Sequence, residues 1–153
     1  MQISTLQLND FFIGKVTLVP SAEPFTQPNT VAVLAAPSFS RNNDDHRQWI
    51  VRLNVKFESP PKRVAAYEGS IEGIGNFVLT GPPASEEEQN LLIAVNATGI
   101  VYSSVRQVIA SLTAQSTNGK MILPSMSFTG LRILHPASSQ PPPVKKAARR
   151  IGP

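Results

Sequence analysis

The sequence contains no cysteine. Disulfides and thiolate metal sites are excluded with it. It has no unbroken apolar run of about 18 residues, so the sequence by itself gives no membrane-spanning helix. Charged residues make up only 16% and aromatics 7%. There are two histidines, His46 and His135. Catalytic or metal chemistry needs a partner at a useful spacing. His46 has only Asp44 and Asp45 beside it, so a solvated loop is the simpler reading. The glycines of "GSIEGIG" lack the spacing of a phosphate loop, and no Gly-Lys-Ser/Thr follows. Ser103 and Ser104 have no nucleophile-elbow context. Glu68 and Glu72 share a strand face but sit too far apart for a close acid–base dyad. No enzyme is expected, and no cofactor or metal. The N-terminus "MQISTLQLND" has neither the basic start nor the apolar core of a signal peptide, so the expected location is the cytoplasm.

What is abundant is proline, 14 in 153 residues, with 41% hydrophobic residues. This suits a folded β-rich domain with proline-rich connections rather than wholesale disorder. The net charge of +4 is misleading as a global figure. Lys145, Lys146, Arg149 and Arg150 lie in the last nine residues, and residues 136–153 contain no acid. Without them the body has ten basic and ten acidic residues. A neutral body argues against a nucleic-acid-binding face. The composition divides the chain into a domain over 1–135 and a disordered, proline-rich basic tail over 136–153.

The clearest element is "QWIVRLNVKFES", residues 48–59. Trp49, Val51, Leu53, Val55 and Phe57 alternate with Ile50, Arg52, Asn54, Lys56 and Glu58. Period-two alternation of this length means a sheet with one buried and one wet face. Before it, residues 3–19 read as one long strand or two short ones broken at Gly14. Residues 30–36 read as a short strand, and residues 37–47 as a polar connection. After it, residues 62–81 form a further strand. Its glycines suggest a bulge, a bend or a close backbone approach. Ser85 is a plausible N-cap before the acids Glu86, Glu87 and Glu88. The apolar segment 90–99 breaks around Asn96 to Gly99, and a helix runs from Ile100. Its stripe of Val101, Val105, Val108 and Leu112, widened by Ile109, is amphipathic. Gly119 ends it. "KMILPSMSF", residues 120–128, is then an extended apolar arm. One sheet and one helix leave apolar surface uncovered, so association is expected, with Val101, Val105, Val108 and Leu112 as the interface.

The block "GIVYSSVRQVIASLTAQSTNGKMILPSMSF" resembles the SecB family of protein-export chaperones and its toxin–antitoxin-associated relatives. The family starts its long helix with Ile-Leu-Phe/Tyr-Pro-x-x-Arg. After a turn it continues as Leu-x-Leu-x-Pro-x-x-Phe. Here Ile100, Val101, Tyr102 and Arg106 match the helix start. Met121, Leu123 or Pro124, and Phe128 match the arm. "YEGSIEGIGNFVL" resembles the fourth strand of the family. The resemblance runs from about Trp49 to Leu131, and more loosely back to the N-terminus.

The resemblance implies an α+β fold, with an antiparallel four-stranded sheet, a long helix and an extended arm, assembling as a homotetramer, a dimer of dimers. It implies a chaperone that acts without nucleotide and holds unfolded clients in apolar grooves. The candidate client-binding residues are Trp49, Phe57, Phe77, Tyr102, Met121, Met126 and Phe128, because aromatics and methionine give large, adaptable contact area. Three departures matter. The family's export members dock the SecA motor through an acidic sheet face, whereas Glu68 here is surrounded by Arg52, Lys56 and Lys15. The family's second helix cannot extend past Pro136. Ser103 replaces the helix-start proline. These features favour a dedicated client such as an antitoxin over preproteins delivered to SecA. The alternatives are a general export chaperone, a structural oligomer subunit, and a nucleic-acid-associated protein working through the tail.

Overall fold

The computed structural model describes residues 4–81 and 85–134. The expected tail over 136–153 lies outside the described residues. Four strands, β1 (Leu6–Pro20), β2 (Ala32–Arg41), β3 (Gln48–Glu58) and β4 (Tyr67–Leu79), form one antiparallel sheet in the order β1-β4-β3-β2. A single long helical rod follows. It comprises α1 (Glu86–Asn90), a π-helical stretch (Leu91–Ala97) and α2 (Thr98–Ala114).

The alternation in β3 is realised residue by residue. Trp49, Val51, Leu53, Val55 and Phe57 are buried, and the residues between them are exposed. Their partners on β4 continue the same face: Phe77 opposite Trp49, Gly75 opposite Val51, Gly73 opposite Leu53 and Ile71 opposite Val55.

β1 is one strand rather than two. Gly14 falls within a register shift between Ile13 and Val16 and does not end the strand. β2 runs to Arg41, well beyond the expected end at residue 36. Ser38 and Ser40 pair with outward-facing residues of β3, while Phe39 pairs with buried Val51. Pro37 is tolerated because β2 is an edge strand with a ladder on one side only. β4 begins later than expected, at Tyr67, since residues 60–63 form a turn closed by Arg63 N–H to the Pro60 carbonyl.

The helix departs most from the sequence reading. No break occurs at Asn96–Gly99. Ser85 caps the start, its hydroxyl accepting from the Glu88 N–H at 3.2 Å. The rod then runs unbroken for 29 residues, long and apolar enough by composition to cross a bilayer. One row of its side chains is spent on its own sheet. Ile93, Ala97, Val101, Val105, Ile109 and Thr113, each four apart, are all fully buried. In a pure α-helix a four-residue repeat drifts around the axis. The wider π turns offset that drift and keep the stripe on the sheet through Asn96 and Gly99.

The β4 glycines are the seat of this helix. A Cβ on Gly73 would lie 2.6 Å from Val105 Cγ2 and 3.0 Å from Val101 Cγ1. One on Gly75 would lie 2.8 Å from Val101 Cγ2. Val101 and Val105 therefore fill holes in their own chain's sheet, which corrects the expectation that they present an assembly surface. Gly99, by contrast, has nothing within 4 Å of a Cβ.

The same substitution at two glycines should act with opposite sign. Gly73→Ala overpacks the seat and is expected to cost about 1–3 kcal/mol, lowering Tm by roughly 2–10 °C. Gly99→Ala relieves a helical glycine and is expected to stabilise by about 0.5–1 kcal/mol. Thermal melts of the two variants check this, and a Gly73→Ala protein melting at or above wild type would contradict the seat.

Candidate functional site: a groove between helix and arm

With Val101 and Val105 turned into the sheet, the neighbouring face of α2 carries Tyr102, Arg106 and Thr113. These three side chains hold the arm. Thr113 Oγ1 accepts from the Met121 N–H at 2.8 Å. Arg106 Nε donates to the Leu123 carbonyl at 2.8 Å. Tyr102 Oη donates to the Pro124 carbonyl at 2.6 Å. The arm thus runs back along α2, antiparallel to it. Further ties fix its two ends. Tyr67 Oη donates to the Gly119 carbonyl at 2.7 Å, and Asn118 Nδ2 to the carbonyls of Ser21 and Ala66 at 2.9 and 2.8 Å. Asn29 Oδ1 accepts from the Ile122 N–H, and Asn90 Oδ1 from the Ile133 N–H. Gly119 has φ +80°, the left-handed conformation that lets the chain reverse after α2.

Side-chain ties are necessary because the arm has no strand partner. Among the described residues, no backbone–backbone hydrogen bond involves residues 120–127. The ties stop at Pro124. The N–H and C=O groups of Ser125, Met126 and Ser127 have no partner among the described residues. Beyond them Phe128 is tucked back, its ring meeting that of Tyr102 edge-on at 5.5 Å and 70°.

Between this untied segment and the outward face of α2 lies an open groove of about 770 Å³. Its apolar parts come from Leu6, Val95, Ile100, Tyr102, Met126 and Phe128. Its polar parts come from Asn96, Gln107 and a set of hydroxyls that includes Ser103, Ser104, Ser125 and Ser127. Among the described residues, Arg106 is the only charged one that lines it. Tyr102 holds its phenol proton more tightly than a free tyrosine, since burial outweighs the opposing influence of the Arg106 charge.

The expected client-binding residues divide accordingly. Tyr102, Met126 and Phe128 are brought together at the groove. Met126 is the exposed one, at 36%, whereas Tyr102 and Phe128 are mostly buried at 3% and 9%. Trp49, Phe57, Phe77 and Met121 are core side chains of the single chain. Trp49 additionally lies beneath the Arg41 guanidinium, 5.4 Å from its ring centroid. Of the expected interface, Val101 and Val105 are buried, Val108 is partly buried, and Leu112 is 44% exposed.

The sequence reading missed Arg106 as a groove residue, along with the hydroxyl lining. One signal was available. Tyr102, Arg106, Ile109 and Thr113 recur at spacings of four, three and four, a second stripe beside the valine stripe.

Other regions are accounted for locally. Asp44, Asp45 and His46 belong to the β2–β3 turn. There Asp45 accepts from the Arg47 N–H and guanidinium, which lowers its pKa, and the His46 carbonyl accepts from Arg41. Among the described residues no three acids or histidines gather as metal ligands. On the outer sheet face Glu72 pairs with Arg52 at 3.4 Å and Glu58 with Lys56 at 2.6 Å. Glu68 accepts from the Ser59 hydroxyl and N–H, which lowers its pKa. A second cavity, of about 450 Å³, lies under the β2–β3 turn beside Arg41, Arg47 and Glu88, and holds none of the expected residues.

No protein-family model matches the sequence, and no curated protein sequence matches it. Among solved structures, the chain is similar to Mycobacterium tuberculosis Rv1957, a SecB-like chaperone in complex with a ChAD peptide from the Rv1956 HigA1 antitoxin. The TM-score is 0.63 at 16% sequence identity, covering 80% of this chain and 90% of that one. Four antiparallel strands, one long helix and an arm returning along it give this chain the SecB-like α+β fold.

Proposed function

We propose that this chain is a SecB-like molecular chaperone that holds an unfolded or aggregation-prone polypeptide in the groove between α2 and the arm, without nucleotide. The observation that carries this reading is the untied main chain at Ser125–Ser127, which borders a groove edged by Tyr102, Met126 and Phe128. An extended client could satisfy those backbone groups by strand addition, while apolar side chains reach the aromatic wall. The similarity to a chaperone solved with an antitoxin peptide supports a polypeptide client. A dedicated client such as an antitoxin fits better than preproteins delivered to SecA. The outer sheet face carries balanced ion pairs instead of an acidic surface, and Glu68 is engaged with Ser59.

The homotetramer belongs to the same proposal, in the cytoplasm. With Val101 and Val105 used internally, the surface left for a second copy is the flank of Val108 and Leu112 together with the apolar side chains of edge strand β1, where Val16 is 43% exposed. Leu112→Asp should lower the assembled mass in light scattering without unfolding the chain. Val105→Asp, which buries a charge under the helix, should unfold it. A wild-type protein that scatters as a stable monomer would overturn the tetramer.

Client holding is tested at Met126. Met126→Ser removes the exposed apolar side chain of the untied segment. It should weaken suppression of client aggregation several-fold while Tm stays within about 2 °C of wild type, as for surface changes generally. Adding Phe128→Ser should lower Tm as well, because Phe128 packs on Tyr102. A Met126→Ser protein that holds the client as well as wild type would place the binding surface elsewhere.

A further inference from the structure

Arg106 stands out among the charged groups. Its residue is only partly exposed, and its Nε is committed to the Leu123 carbonyl. The three ion pairs among the described residues are Arg47–Asp45, Arg52–Glu72 and Lys56–Glu58. Arg106 is in none of them, and among the described residues no aspartate or glutamate lines its groove. A guanidinium that spends its Nε on the arm and meets no carboxylate keeps its terminal N–H groups for a bound anion, to which they donate charge-assisted hydrogen bonds.

We propose that Arg106 is a specificity residue. It reads a carboxylate side chain on an extended client segment whose main chain lies along Ser125–Ser127. This rests on the chaperone reading above and names the client chemistry that the groove prefers. Charge complementarity selects the occupant. The remaining polar lining is neutral, made of hydroxyls and amides that serve a peptide backbone, so one acid beside an apolar residue matches the groove. The chain's own C-terminal segment does not match. It carries Lys145, Lys146, Arg149 and Arg150 and no acid, and its prolines at 136, 141, 142 and 143 lack the N–H groups that strand addition needs.

The test uses the full chain and two labelled peptides of alternating valine, serine, phenylalanine and threonine, identical except for one central Glu or Gln. Fluorescence anisotropy should show the Glu peptide binding the wild type roughly tenfold more tightly at low salt. The advantage should shrink as salt rises. Arg106→Gln should abolish the advantage, and Arg106→Lys should restore part of it. If Arg106 merely ties the arm to α2, its replacement weakens both peptides equally, which overturns the assignment. Equal binding of the two peptides to the unaltered protein overturns it too, and that comparison does not depend on any variant folding. Binding of neither peptide by wild type overturns the chaperone reading and this inference with it. A change in assembled mass without a change in peptide preference would assign Arg106 to a second copy of the chain, and would equally overturn the proposal.

Discussion

The structure depends on the contact between Val101 and Val105 on the helix and Gly73 and Gly75 on the sheet. Two adjacent inward positions of a central strand have no side chain, and two β-branched residues one helical turn apart fill the space. Close packing of this kind fixes the helix in rotation as well as in height, since turning it would drive Val101 or Val105 into backbone. Once rotation is fixed, the face beside the valines is fixed as well. That face presents Tyr102, Arg106 and Thr113 at the right height to bond the arm. The π-helical stretch serves the same end by keeping the buried row of Ile93, Ala97 and Val101 continuous.

The arm follows from this. An extended segment lying on a helix has no ladder to join, so its N–H and C=O groups must find side chains or water. Met121, Leu123 and Pro124 find Thr113, Arg106 and Tyr102. Ser125 to Ser127 find nothing among the described residues. The change from tied to untied backbone occurs at the edge of the groove. It leaves a short peptide template next to an aromatic wall, held in place at both ends by Pro124 and the Phe128–Tyr102 contact. A rigid flank with an unsatisfied edge suits the binding of an extended polypeptide, since little ordering of the site is needed when the client arrives.

Much of the fold was legible where one force dominates. The alternation in β3 reports a one-sided sheet directly, Ser85 marks the start of the helical rod, and Gly119 marks the reversal that follows its end at Ala114, each through local backbone chemistry. The reading failed where tertiary packing overrides local preference. Asn96 and Gly99 are weak helix formers, yet buried Ile93, Ala94 and Ala97 carry the helix through them. Ser38 and Ser40 look like loop residues, but on an edge strand they simply face outward. The site was only partly legible. Periodicity shows that the valine stripe is buried but not what covers it, and here the cover is the chain's own glycine-bearing strand. For the same reason Trp49, Phe57, Phe77 and Met121, chosen for their size, became core, while Arg106 was passed over. The resemblance of residues 99–128 to SecB-like chaperones pointed to the fold that the structure has.

The central claim is that a polypeptide client lies along Ser125–Ser127. Hydrogen exchange on the full chain, with and without a bound unfolded client, tests it most directly. The account predicts that the amides of Ser125, Met126 and Ser127 exchange rapidly in the free protein and become protected on client binding, while the outer sheet face around Phe12 and Leu34 is unchanged. Protection of that outer face, with the arm amides still exchanging freely, would contradict it.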